Sequence, residues 1–72
     1  MNIPKTNDMY RHYKGNEYKI ICLAIDEATE AQVVVYQDIH MREKIWVRPL
    51  LVFLEEVEID GVKRPRFEYS KV

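Results

Sequence analysis

Seventy-two residues, with 11 basic and 12 acidic side chains and a hydrophobic share of 47%, describe one small globular domain with a thin core and no room for a second. No uncharged run approaches the roughly 20 apolar residues of a membrane-spanning helix, residues 1–8 contain no apolar signal core, and the single cysteine, Cys22, has no partner for an internal disulfide. A transmembrane helix and a disulfide scaffold are excluded, a deep catalytic cleft is not expected, and a cytoplasmic protein is expected.

The net charge of −1 is unevenly distributed. Residues 1–24 carry four cations and two acids, residues 25–60 three cations and nine acids, and residues 61–72 four cations and one acid. Ends lying side by side would form one positive face suited to an anion, whereas opposite charges on neighbouring strands would simply neutralise each other. The sequence pI of about 6.1 favours the second reading, since dedicated nucleic-acid domains usually exceed a pI of about 9.

Along the chain, residues 1–8 are polar and aperiodic and read as a flexible arm, with one ordered domain over residues 9–69 and a tail at 70–72. Tyr10-Arg11-His12-Tyr13 reads as a short strand, and Lys14-Gly15-Asn16 as the tight turn after it. The run from Glu17 to Ile25 becomes continuously apolar and β-branched, which predicts a long strand covered in part on both faces. Gln32 to Tyr36 is a third strand by propensity. Ile45-Trp46-Val47-Arg48 alternates, placing Ile45 and Val47 on one face and Trp46 and Arg48 on the other.

Pro49 and the helical spacing of Leu50, Phe53 and Leu54 predict one helical turn around Leu50–Phe53, followed by a strand through Val57 and Ile59. Asp60-Gly61 is a strong hairpin signal, and Pro65, lacking a donor, must sit at a strand end or sheet edge. The expected fold is all-β: a small antiparallel barrel of about five strands with one helical turn.

The blocks Tyr10-Arg11-His12-Tyr13-Lys14-Gly15, Val34-Val35-Tyr36, Trp46-Val47-Arg48-Pro49-Leu50 with Phe53, and Pro65-Arg66-Phe67 together resemble a bacterial family, domain of unknown function 1653. The resemblance runs from about Met9 to Tyr69 and implies a compact SH3-like barrel, without implying an activity. Two loops depart from the family pattern. Asp26-Glu27-Ala28-Thr29 stands where His-Ser-Glu-Thr is usual, and His40-Met41 where a Tyr-Gly pair is usual.

Candidate chemistry is sparse. Cys22, between Ile21 and Leu23, reads as an inert core thiol. Ser70, the sole serine, lies too near the chain end for a catalytic triad. His12, His40 and Cys22 lack the spacing of a metal site, and neither metal nor cofactor is expected.

On a strand, Tyr10 and His12 share one face and Arg11 and Tyr13 the other. Tyr10 and His12 could stack on or hydrogen-bond a planar ligand, or His12 could cap a turn. Trp46 and Arg48, if Ile45 and Val47 fill the core, stand outside beside Tyr36 as a stacking and anion-binding platform, to which Arg66 could add. The alternative seals Trp46 into an open end of the barrel and pairs Arg48 with Glu55 or Glu56. The leading expectation is a binding module without enzymatic activity, engaging a peptide, a protein partner or a nucleotide-containing ligand through Trp46, Arg48, Tyr36, His12, Tyr10 and Arg66. Nucleic-acid binding through the basic ends comes second, and an enzyme using His12 as general base near a carboxylate comes last.

Overall fold

A computed structural model describes residues 3–70. Strand β1 (Met9–His12) reverses into β2 (Glu17–Ile25) through Gly15, whose φ of 107° suits a residue without a side chain. The Gly15 N–H donates to the His12 carbonyl at 2.7 Å, and the His12 N–H to the Asn16 carbonyl at 2.8 Å, closing the turn. β2 runs antiparallel to β3 (Gln32–Asp38) with a register shift between Ile20 and Cys22. That bulge bends the strand and inverts its alternation. As a result Ile20, opposite Tyr36, and Leu23, opposite Val34, reach the same side of the sheet.

β4 (Ile45–Pro49) lies on the other side of β3 and runs directly into the helical turn α1 (Leu50–Phe53). Pro49 serves as the residue before this helix, with ψ at 138°, so it both ends the strand and starts the turn. β5 (Glu56–Ile59) and β6 (Val62–Pro65) form a separate hairpin. Its turn residues Asp60 and Gly61 take φ of 52° and 78°, as the tight two-residue hairpin turn requires. β7 (Phe67–Ser70) returns to pair with β1, giving the sheet order β4-β3-β2-β1-β7.

The domain is all-β, and its helical turn falls where the spacing of Leu50 and Phe53 predicts it. Two expectations need correction. The expected barrel is not closed, because β4 and β7 end the five-stranded ladder without pairing to each other. The strands number seven among the described residues, because the segment after the Asp60-Gly61 turn supplies two, β6 and β7, beyond the five expected. Pro65 offers no donor there, and Arg66 turns its N–H to the Glu55 carbonyl at 2.9 Å.

The segment expected as a flexible arm is tied to β2 at Asn7 and Asp8. Pro4 is buried, Asn7 N–H donates to the Ile20 carbonyl at 2.8 Å, and Ile20 N–H donates to the Asp8 carbonyl at 2.8 Å. Met1, Asn2, Lys71 and Val72 lie outside the described residues, whereas Ser70, read as tail, ends β7 opposite Met9.

The core occupies the concave side of the sheet, beneath α1. Phe53 and Phe67 stack with ring centroids 4.1 Å apart and planes 7° from parallel. Tyr10, Tyr18 and Tyr36 meet this pair edge-on, while Ile20, Val34 and Leu50 fill the remaining volume. No helix among the described residues is long and apolar enough to cross a membrane.

Candidate functional site

The placement of Trp46 follows from register. Trp46 pairs with Tyr36 and Arg48 with Val34, and directly opposed residues in an antiparallel pair project to the same face. Tyr36 and Val34 are core residues, so Trp46 and Arg48 belong to the concave face and extend it beyond the core. The premise that Ile45 and Val47 fill the interior is therefore overturned. Both lie on the convex face, 54% and 63% exposed. Trp46 is nevertheless 46% exposed, because β4 ends the sheet and nothing among the described residues pairs with its outer edge. The indole is neither an outward-facing platform nor a sealed plug. It forms the wall of a cleft.

That cleft, about 220 Å³, is walled by Trp46 and Arg48 from β4 and by His12 from β1. Phe67, Tyr18 and Tyr36 form its aromatic base, and Lys14 and Asn16 reach it from the β1–β2 turn. The Arg48 Nε–H donates to the Tyr36 hydroxyl at 3.2 Å, and the guanidinium lies 5.6 Å from the Phe67 ring centroid. The Asn16 amide donates to the Tyr18 hydroxyl at 3.3 Å. Each tyrosine oxygen thus accepts one hydrogen bond and keeps its own proton to donate.

Neither Glu55 nor Glu56 meets Arg48. The two ion pairs among the described residues are Arg11–Glu17 at 3.8 Å and Arg66–Glu55 at 3.7 Å. No carboxylate lines the cleft.

His12 packs edge-on against Phe67 at 4.9 Å, and its Nδ1 accepts the Lys14 N–H at 3.1 Å. Burial first, then the positive charges of Arg48, Arg66 and Lys14, hold the imidazole below its ordinary pKa of 6.5. A neutral ring whose Nδ1 is already occupied carries its proton on Nε2.

Of the residues singled out from sequence, Trp46, Arg48, Tyr36 and His12 come together in this cleft. Tyr10 does not line it. Its ring is only 5% exposed, held edge-on to Phe53 and Tyr69, and burial raises its hydroxyl pKa. Arg66 is held by Glu55 and acts on His12 only through its charge. Lys14, Asn16, Tyr18 and Phe67 are members that the sequence reading did not assign. The β1–β2 register pairs Tyr10 with Tyr18, so fixing one face of the hairpin fixes the other, and that was the available signal for Tyr18.

Cys22, read as a core thiol, faces the convex side opposite Val35 and is half-buried. Among the described residues no three His, Cys, Asp or Glu side chains gather as a metal site.

Fold and cleft define a small all-β domain that joins an aromatic floor to a rim of hydrogen-bond donors. The chain belongs to the DUF1653 family, described as a protein of unknown function, whose profile matches residues 8–69. It is similar to the crystal structure of a DUF1653 protein from Bordetella bronchiseptica, at 35% identity over 93% of this chain and 85% of that one, with a TM-score of 0.79. No curated protein matches the chain significantly.

Proposed function

We infer that the domain is a non-enzymatic binding module. Its concave cleft receives a ligand that presents a flat apolar group to Trp46 and hydrogen-bond acceptors to Arg48, His12 and the tyrosine hydroxyls. The observation that carries this reading is the one-sided chemistry of the cleft. Its polar side chains all have protons to donate, no carboxylate balances them, and an exposed indole stands beside them. A domain of this size gains little stability from an indole left half in water, whereas tryptophan and arginine are the side chains that most often dominate binding energy.

Catalysis by His12 is not supported by its surroundings. His12 lines a concave surface, as a general base should, but the cleft contains no carboxylate to orient it, and its Nδ1 is taken by a backbone N–H.

The test is a titration of the ¹⁵N-labelled domain with a set of planar aromatic fragments. Concerted shifts of the Trp46 indole N–H and the Arg48 Nε–H are expected, and the Arg48 shift should vanish in Trp46→Ala while the remaining spectrum stays dispersed. If no fragment moves these signals, or if Trp46→Ala collapses the spectrum, the indole is a structural side chain and the reading fails.

A further inference from the structure

The β1–β2 turn separates two clefts that share one cation. The second, about 350 Å³, lies on the opposite face of β1, where Arg11 projects, and it is completed by Tyr13 from the turn and Arg64 from β6. Lys14 lines both clefts. Glu68 is the one acid in the second lining, and Glu17 pairs with Arg11, while Arg64 has no ion-pair partner among the described residues. Tyr13 is 39% exposed, with one side of its ring against His12, centroids 4.4 Å apart, and the Lys14 ammonium 5.8 Å from its centroid. Each cleft therefore pairs an accessible ring with an unneutralised guanidinium, Trp46 with Arg48 and Tyr13 with Arg64, and Lys14 stands between the two sets.

Resting on the binding reading above, we propose that the ligand is a short single strand of nucleic acid. One base stacks on Trp46, the adjoining phosphate sits at Arg48 and Lys14, and the next nucleotide enters the cleft of Tyr13 and Arg64. An alternation of flat ring and anion is the chemistry of such a strand, and stacking platforms flanked by cations are how sequence-tolerant single-strand binders hold it. A lone nucleotide or a peptide with one anionic side chain would use the first cleft and leave the second set of cations without a role. The cations that line the two clefts come from β1 and its turn (Arg11 and Lys14), β4 (Arg48) and β6 (Arg64), against a single lining acid, Glu68, on a protein of net charge −1.

Trp46 is the sole tryptophan, so its emission reports on the first cleft directly. The probes are a short oligothymidylate, thymidine 5′-phosphate, thymidine and a phosphotyrosyl peptide, each titrated at low salt. The oligonucleotide is expected to quench Trp46 and to bind at least about fivefold more tightly than the mononucleotide, since stacking contributes on the order of 1–3 kcal/mol per base. Two phosphate contacts predict a log–log salt slope of about −1.4, and Arg64→Gln should lower it by about 0.7 while leaving mononucleotide binding unchanged. Equal affinity for oligonucleotide and mononucleotide, tighter binding of the phosphotyrosyl peptide, or a flat salt response overturns the proposal. If planar fragments bind but no nucleotide does, the strand is wrong and the binding module stands. If neither binds, both readings fall.

Discussion

At the residue scale, His12 is the group whose environment makes the clearest demand on pH. Its folded-state pKa is lowered, so the unfolded chain takes up a proton before the folded one does. Above 6.5 the ring is neutral in both states and the folded domain has its full stability. As pH falls below 6.5 the folded state resists protonation and stability declines, until the lowered folded pKa is passed and the loss levels off. Asp38 titrates in a separate window. Its carboxylate accepts the N–H groups of Met41 and His40, which hold its pKa below 3.8, so its contribution is present above 3.8 and disappears only in stronger acid. Urea midpoints measured from about pH 8 to about pH 5 should therefore fall, and His12→Gln should flatten the decline. A wild-type midpoint that stays constant across this range would contradict the burial and positive field assigned to the ring.

At the element scale, β4 shows what alternation can and cannot convey. The order Ile45, Trp46, Val47, Arg48 divides the strand into two faces, but nothing in the four residues says which face meets the core. Choosing the aliphatic face rests on hydrophobicity, while the fold decides by pairing Trp46 with Tyr36. The core side of β3 already holds Val34 and Tyr36, and the aromatic layer above them continues outward to the indole. Other elements were legible because their signals are local. The Asp60-Gly61 turn, the Gly15 reversal, the long β2 and the Leu50–Phe53 helical turn each follow from a few neighbouring residues. The open ladder and the membership of Lys14 and Asn16 in the cleft depend on contacts distant in sequence, which periodicity does not encode. It follows that Val47→Lys should change stability by no more than about 0.5 kcal/mol, as expected of an exposed position away from caps and turns. Val34→Ala, on the neighbouring strand, should cost at least about 1 kcal/mol because the lost methyls leave a void at a fully buried site. Denaturant midpoints of the two variants compare these faces directly, and a large loss in Val47→Lys would restore the aliphatic face to the core.

At the scale of the whole molecule, the question is how an open sheet of this size stays folded. A 72-residue domain has roughly 4–11 kcal/mol of stability to lose, and its ladder leaves two edges unclosed. Residues 3–8 reinforce the region where the β2 bulge interrupts regular pairing. Asn7 and Asp8 exchange hydrogen bonds with both backbone groups of Ile20, next to the bulge, and Pro4 is sealed from solvent. Two backbone hydrogen bonds contribute on the order of 1–3 kcal/mol together, and burying the proline ring adds roughly another 1 kcal/mol. Removing residues 1–8 is therefore expected to cost about 2–4 kcal/mol, a large part of the total. The consequence reaches the cleft, because Ile20 pairs with Tyr36 and Tyr36 anchors Arg48. Denaturant unfolding of the full chain and of the chain beginning at Met9, followed by the Trp46 emission, would measure both effects. A truncated chain as stable as the full one would mean that this segment lies on β2 without supporting it.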